Sequence, residues 1–186
     1  MAEVRPSSET LRFPNFIERY TTQRFVINVD ENDGSDQFIF LHSNGLVLVG
    51  LARTHPVCKA QDIKVAINTQ KENQVKGRHK FGAQNVKPKT VLITVVADGV
   101  EYKVHALTSG RLLEMNESLT DHPELLKNES EGKGFVAILQ KNPNEKNPEE
   151  MESLSLEEFC KLRNLEVPHY IPLPVANEEY DIDDYN

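Results

Sequence analysis

The residues of this chain that could perform catalysis or hold a metal are six histidines and two cysteines, spread over 186 residues. The six histidines are scattered, and neither a pair of histidines nor the pair of cysteines stands at a metal-ligand interval. Asp36, His42 and Ser43 supply the residue types of a hydrolytic triad, but the glycine-flanked serine of a nucleophile elbow is missing, since Leu41 stands where the first glycine is required. Neither a phosphate-binding loop nor a dinucleotide fingerprint occurs. We therefore expect no enzyme, no metal and no cofactor, and predict that His55-Pro56 and His122-Pro123 order turns.

Binding chemistry is offered instead by the basic run Lys71–Lys89, which holds six bases against one acid. Composition alone favours a solvated loop or hairpin. The alternative is a cationic surface for a partner with dense negative charge, such as nucleic acid or an acidic protein filament. Stacking of single-stranded RNA favours several exposed rings, and Phe81 is the one ring inside the run. The candidate contact residues are Lys76, Arg78, His79, Lys80, Phe81, Lys87 and Lys89.

The net charge of −8 is unevenly distributed along the chain. Residues 145–186 hold twelve acids and three bases, a net of −9, which leaves the remainder at +1. The acidic excess therefore belongs to the C-terminal part, and the total charge does not exclude an acidic partner for the body. Two roles remain open for the acidic end with Tyr180, Ile182 and Tyr185: an interaction segment, or a solubilising end that folds over the basic run.

The elements that must position these residues are predicted to be short strands. Runs rich in Val, Ile, Leu and Phe are separated by turn signals such as Ser43-Asn44-Gly45 and Asp98-Gly99. This pattern favours a sandwich or small barrel over alternating strands and helices. The predicted strands are Phe25–Val29, Phe38–His42, Leu46–Ala52, Ile63–Ile67, Thr90–Ala97, Glu101–Leu107, Arg111–Met115 and Phe135–Gln140.

One hairpin and two helices have specific signals. Asp98-Gly99 suits the positive φ angles of a tight hairpin turn, with Val91, Ile93 and Val95 predicted to share one face of the preceding strand. Aromatic and aliphatic residues at helical spacing predict a short docking helix within residues 13–20. Ser155 and Glu158 match a capping box, which predicts a helix near 156–163.

The boundaries that follow are a loose leader over 1–12, a β domain over 13–140 and an acidic extension over 141–186. The first residues lack the apolar stretch of a secretory signal, and the longest apolar run, Val91–Ala97, is far shorter than the roughly 20 residues of a membrane helix. Two distant cysteines give no disulfide framework. We expect a soluble, reduced protein of the cytoplasm or nucleus, without membrane insertion.

The segment 108–139 resembles the C-terminal half of glycine-cleavage H-protein and, more broadly, biotinyl and lipoyl carrier domains. The match is carried by a Ser-Gly turn, an Asn-Glu pair, a Pro-Glu-Leu turn and a Gly-x-Gly before a closing apolar strand. The matching positions are Ser109, Gly110, Asn116, Glu117, Pro123, Glu124, Leu125, Gly132 and Gly134. The resemblance implies a barrel-sandwich hybrid fold.

Over about residues 13–140 the chain resembles the Abitram (Simiate) family of actin-binding transcription modulators. The motifs that carry this likeness, in order, are Leu41-His42-Ser43-Asn44, Thr54-His55-Pro56-Val57, Gly77-Arg78-His79-Lys80-Phe81-Gly82-Ala83-Gln84 and Asp98-Gly99-Val100-Glu101-Tyr102. The resemblance implies binding to monomeric and filamentous actin, with effects on filament assembly and on projections such as filopodia. It also implies a place in nuclear speckles and in transcription. The alternatives are a nucleic-acid or ribonucleoprotein adaptor using the basic run, and a non-lipoylated carrier-like scaffold.

The attachment lysine of a working carrier is missing from its expected place. In the H-protein pattern that lysine lies eleven residues before the glycine of the Ser-Gly turn, and counting back from Gly110 reaches Gly99. Lys103 lies nearby but within the following predicted strand. We therefore expect no lipoyl or biotinyl group.

Overall fold

The computed structural model describes residues 11–29, 32–68, 84–141 and 151–170, which form mostly antiparallel β sheet with short helices, as predicted. The strands are β1 Leu11–Arg12, β2 Thr21–Val26, β3 Gln37–His42, β4 Leu46–Leu51, β5 Ile63–Ile67, β6 Gln84–Val86, β7 Val91–Ala97, β8 Val100–His105, β9 Gly110–Met115, β10 Ala137–Gln140, β11 Leu154–Ser155 and β12 His169–Tyr170. The helices are α1 Phe16–Tyr20, α2 Ser118–Asp121, α3 Leu125–Asn128 and α4 Leu156–Leu162, with a 3-10 helix at Pro56–Lys59.

The larger sheet has the strand order β11-β2-β3-β4-β10-β9-β6, and its centre is buried on both faces. In β3, Ile39 points to the main core, while Phe38 and Phe40 point to the opposite side and are 1% exposed. A strand covered on both faces has no polar side to alternate with its apolar one. This is why the sequence QFIFLH contains a continuous apolar run instead of a period of two.

The smaller sheet, of order β5-β7-β8, packs against the inner face of the larger one. Val95 and Val104 of the small sheet share the main core with Val49 and Leu139 of the large sheet, and all four are 0% exposed. The predicted alternation along β7 is wrong at its start. The register shifts between Val91 and Ile93, and this irregularity buries Leu92 instead of Val91.

The sheets stay open among the described residues, so the predicted barrel is not closed there. The two ends of the larger sheet nevertheless come close to one residue, Leu107, which has a φ of 62°. Its N–H donates to the carbonyl of Pro88, just after β6, at 2.9 Å. Its carbonyl accepts from the N–H of Met151, just before β11, also at 2.9 Å. This pair of bonds connects the two ends of the larger sheet through Leu107 without strand pairing.

The C-terminal segment 151–170 covers the aromatic side of the larger sheet. Phe159 of α4 is fully buried and stacks on Phe25 with ring centroids 4.1 Å apart. Burying a ring of this kind contributes about 1.5–3 kcal/mol. The capping box predicted for α4 is confirmed, since Ser155 Oγ accepts from the Glu158 N–H and the Glu158 carboxylate accepts from the Ser155 N–H.

The N-terminal helix α1 is confirmed but begins later than predicted. Asn15, in an extended conformation, precedes the first turn and caps it through a second capping box with Glu18. Strand β6 was not predicted, because Gln84-Asn85-Val86 contains a single apolar residue and joins the sheet through backbone pairing with β9.

Candidate partner-binding surface

The turn between β6 and β7 holds the two lysines of the basic run that lie among the described residues. The Lys87 carbonyl accepts from the Thr90 N–H at 2.9 Å, and Thr90 Oγ1 accepts from the Lys87 N–H at 2.9 Å. Pro88 between the lysines is buried and bonded to Leu107 through its carbonyl. The anchored proline leaves Lys87 and Lys89 exposed on either side of it.

Pairing of β6 with β9 brings a further base to this edge. Arg111 lies opposite Asn85 in the register, and both side chains are exposed while Val86 and Gly110 beside them are buried. Arg111, Asn85 and Lys87 therefore lie on the outer face of the sheet. We call Lys87, Lys89 and Arg111 the basic edge.

Sequence reasoning missed Arg111, which stands twenty-two residues after Lys89 and outside any charged run. Only the strand register connects it to the run, and no local signal in the sequence carries that register. The remaining predicted contact residues, Lys76, Arg78, His79, Lys80 and Phe81, lie outside the described residues and stay predictions.

The β7–β8 hairpin turns at Asp98-Gly99, the position reached by counting eleven residues back from Gly110. Ala97 pairs with Val100, and Asp98 and Gly99 have φ angles of 49° and 85°, as a tight turn of this kind requires. The Asp98 carboxylate accepts backbone N–H groups of Asp62 and Gln61 at 2.9 and 3.1 Å, and these bonds lower its pKa.

The hairpin tip does not fit a covalently attached lipoyl or biotinyl group. A carrier arm needs a lysine amine at the turn, and the turn here is an aspartate held against the 61–62 backbone, followed by glycine. Lys103 lies within β8, where its backbone carbonyl accepts a hydrogen bond from Gln37 Nε2 at 3.0 Å.

The residue types of a hydrolytic triad are used in other ways. Asp36 is fully buried and accepts hydrogen bonds from Arg163 and Thr54. His42 Nδ1 accepts from the Asn44 N–H at 3.2 Å, which orders the β3–β4 turn. Among the described residues, no group of three or more His, Cys, Asp and Glu side chains is arranged to hold a metal ion.

Two histidines at His-Pro pairs order turns, as predicted. His55 caps the 3-10 helix by accepting from the Val57 N–H, and His122 ends α2 and contacts Glu124 at 3.0 Å. Burial raises the pKa of both the Cys58 and the Cys160 thiols, which disfavours the reactive thiolate. Across the described ranges, no helix combines the length and the apolar character that crossing a bilayer needs.

The fold defines the chain as H-protein-like. A solved glycine cleavage system H protein from Mycobacterium marinum matches it with a TM-score of 0.52, covering 69% of this chain and 91% of that one. At 18% identity this likeness shows the fold alone. No family model matches the chain.

Closer relatives identify the family. Protein Abitram of Dictyostelium discoideum is 33% identical over 156 residues, covering 81% of this chain and 89% of the relative. Protein Abitram of Xenopus tropicalis is 31% identical over 140 residues, and that of Homo sapiens 31% over 134, covering 76% and 74% of those proteins and 71% and 68% of this chain. The chain belongs to the Abitram family.

Proposed function

We propose that this protein is a non-enzymatic actin-binding protein that contacts both monomer and filament and regulates filament assembly in cell projections such as filopodia. A second part of the proposal is a nuclear role, at speckles, in modulating transcription. Membership of the Abitram family supports both parts, because actin binding and modulation of transcription are the activities that a resemblance to this family implies. The proposed locations are the nucleus and the cytoplasm, including actin-rich projections.

The observation that carries the actin proposal is the basic edge. Lys87 and Lys89 are exposed beside a buried proline, and Arg111 joins them through the β6–β9 register. Clustered bases on an anchored turn favour an acidic protein surface, because electrostatic complementarity sets association rate and orientation. The other bases of the run precede β6 directly in sequence and add to the same charge.

Co-sedimentation of the full chain with filamentous actin tests the proposal. We expect Lys87→Gln/Lys89→Gln to weaken binding about fivefold at low salt, if each charge contributes about 0.5 kcal/mol. Raising the salt concentration reduces the difference between variant and wild type, because exposed charges are screened. A second variant, Lys76→Gln/Arg78→Gln/Lys80→Gln, extends the test to the rest of the run.

The matched control is Lys64→Gln/Lys133→Gln, which removes two charges from side chains that are 78% and 76% exposed and lie outside the run. Equal binding by this control and by wild type separates a local effect from a change in net charge. Unchanged binding by both basic-run variants would show that the run is not the actin site.

The same variants examined with single-stranded RNA distinguish the adaptor alternative. Phosphate contacts give binding a steep dependence on salt concentration, with a slope proportional to the number of phosphates neutralised. RNA binding that depends on Lys87 and Lys89, together with no actin binding, would favour the adaptor. The nuclear part is tested by imaging the tagged full chain against a speckle marker, where a uniform nuclear distribution would contradict it.

A further inference from the structure

An exposed aromatic face lies at the N-terminal end of the described chain, where α1 leads into β2. Phe13, Phe16 and Tyr20 are 57%, 68% and 46% exposed. The Phe16 and Tyr20 rings are 4.8 Å apart, and each is within 6.4 Å of the His42 ring. We call these four residues the aromatic face. Clustered exposed rings of this kind are typical of a docking surface.

The aromatic face is held on a well-anchored support. Ile17 packs inward against the cluster of Phe25, Phe40 and Phe159, so the other side of α1 must face outward. The Asn15 capping box and an ion pair between Arg12 and Glu18 fix the start of the helix. The rings are therefore presented by a fixed element, although α1 itself has only five residues.

The C-terminal part of the chain arrives beside this face. Strand β12 pairs in parallel with β1, with Leu11 opposite His169 and Arg12 opposite Tyr170. The Arg12 guanidinium lies over the Tyr170 ring, 5.4 Å from its centroid. Because the two strands are parallel, the chain leaves Tyr170 in the direction in which β1 continues towards Phe13.

We propose that residues 171–175, with the sequence Ile-Pro-Leu-Pro-Val, dock on the aromatic face of their own chain. Alternating prolines limit the conformations open to the free segment, which lowers the entropy lost on docking. Aromatic-lined surfaces are the usual receptors for such proline-rich segments. Ile171, Leu173 and Val175 supply the apolar side chains that would cover the rings.

Length and charge fit this occupant. Five extended residues span about 17 Å, whereas the five residues of α1 are about 8 Å long. A segment that begins beside β1 is therefore long enough to extend over the whole of α1. The segment is followed in sequence by the acidic residues Glu178 to Asp184. Arg19 of α1 is exposed beside Tyr20, with its guanidinium 5.4 Å from that ring, and its charge is opposite to that of these acids.

An occupant from the same chain has an advantage over a separate partner. The segment is connected to β12, which is already paired beside Phe13, so its effective concentration at the face is of millimolar order. This docking is independent of the proposed actin binding, which concerns Lys87, Lys89 and Arg111 and none of the residues of the aromatic face. Either proposal can fail without affecting the other.

Methyl-labelled full-length protein tests the docking by nuclear magnetic resonance. We expect the Ile171, Leu173 and Val175 methyl signals to be shifted upfield by ring currents, with nuclear Overhauser contacts to the Phe16 and Tyr20 ring protons. Methyl signals at the positions found in a free peptide of residues 171–186, without such contacts, would overturn the proposal. The contacts are read in the wild-type chain and need no variant.

The variant Phe16→Ala/Tyr20→Ala should remove the upfield shifts while preserving the amide spectrum of the sheets, because both side chains are largely exposed. Val100→Ala is the matched control, since Val100 is 47% exposed at the start of β8 in the smaller sheet and should leave the methyl shifts unchanged. Mixing differently labelled chains identifies a second copy as the occupant if contacts arise between chains, and that outcome also overturns docking within one chain.

Discussion

Asp36 and Arg163 connect the sheet to the C-terminal segment through one charged contact. The Asp36 carboxylate is fully buried and receives Arg163 Nε at 2.8 Å and Nη2 at 2.6 Å, with Thr54 Oγ1 at 2.7 Å. Two-point binding by a guanidinium gives the pair a fixed geometry, which a lysine cannot reproduce. The pair lies just beyond α4, 127 positions apart in sequence, and thereby orients the segment on the body.

We expect Arg163→Ala to lower the free energy of unfolding by about 3 kcal/mol, because it leaves a buried carboxylate without its cation. The measurement is urea denaturation followed by circular dichroism. Lys64→Ala is the control, since Lys64 is 78% exposed and its 3.9 Å contact with Asp62 contributes little. Equal losses in the two variants would contradict a stabilising role for the buried pair.

The two glycines of the Gly-x-Gly motif, Gly132 and Gly134, differ in the space that the surrounding backbone leaves for a side chain. A Cβ at Gly134 would clash with the Leu125 carbonyl oxygen and lie 2.9 Å from that of Glu129, both backbone atoms. A Cβ at Gly132 would meet its nearest neighbour at an ordinary 3.6 Å. The glycine at 134 is therefore required by the close approach of α3 and its following turn.

We expect Gly134→Ala to destabilise the protein by about 3 kcal/mol, at the upper end of the range for overpacking. Gly132→Ala should lie within about 1 kcal/mol of wild type and can be stabilising, because alanine restricts the unfolded chain. Thermal unfolding of the two variants side by side makes the comparison. Similar melting temperatures would show that the backbone near Gly134 can move to accept the methyl group.

At the scale of elements, the sequence predicted those turns, helix caps and strands that are specified by residues close together in the chain. The Asp98-Gly99 turn, the Ser155–Glu158 capping box and the strands β3, β4 and β5 were all predicted, since turn residues and apolar runs specify them. Strand β6 could not be predicted, because its pairing with β9 depends on residues distant in sequence. The same register places Arg111 on the basic edge, so the sequence could not predict that Arg111 belongs to the candidate surface.

The capping box of α4 supports a helix of only seven residues. Ser155→Ala removes the side-chain acceptor for the Glu158 N–H, which lies 3.3 Å from Ser155 Oγ. We expect this change to lower stability by about 1 kcal/mol. Hydrogen exchange should show faster exchange at the first amides of α4 than in wild type. Ser155→Asp provides the control, because aspartate can also cap a helix and should preserve the protection.

The same box makes α4 sensitive to acid. Hydrogen bonds from the Ser155 backbone N–H and hydroxyl lower the pKa of Glu158. A carboxyl whose folded pKa is lowered stabilises the fold above its ordinary pKa range, and this contribution is lost as the pH falls through the folded pKa. Glu158→Gln keeps the capping side chain but cannot titrate. We therefore expect wild type to lose stability relative to Glu158→Gln on acidification below pH about 4, and parallel pH profiles would contradict this.

At the scale of the whole molecule, the C-terminal segment 151–170 is attached to the body by packing, by a salt bridge and by strand pairing. Phe159 is buried against Phe25, Arg163 binds Asp36, and β11 pairs with β2. Sequence composition separated residues 141–186 from the β domain because their charge differs, but charge describes the surface and not the packing. A few buried residues in an acidic segment are enough to attach it to the core.

These contacts predict that segment 151–170 and the body unfold together. The two cysteines of the chain provide matched probes, because Cys160 is fully buried in α4 and the Cys58 thiol donates to backbone carbonyls in the body. We expect pulsed thiol labelling across a urea series, located by peptide mass, to give one midpoint for both thiols, as cooperative unfolding requires. Phe159→Ala should lower both midpoints, with a loss of about 3–5 kcal/mol. Labelling of Cys160 at lower urea than Cys58 would instead show that the segment detaches before the sheets unfold.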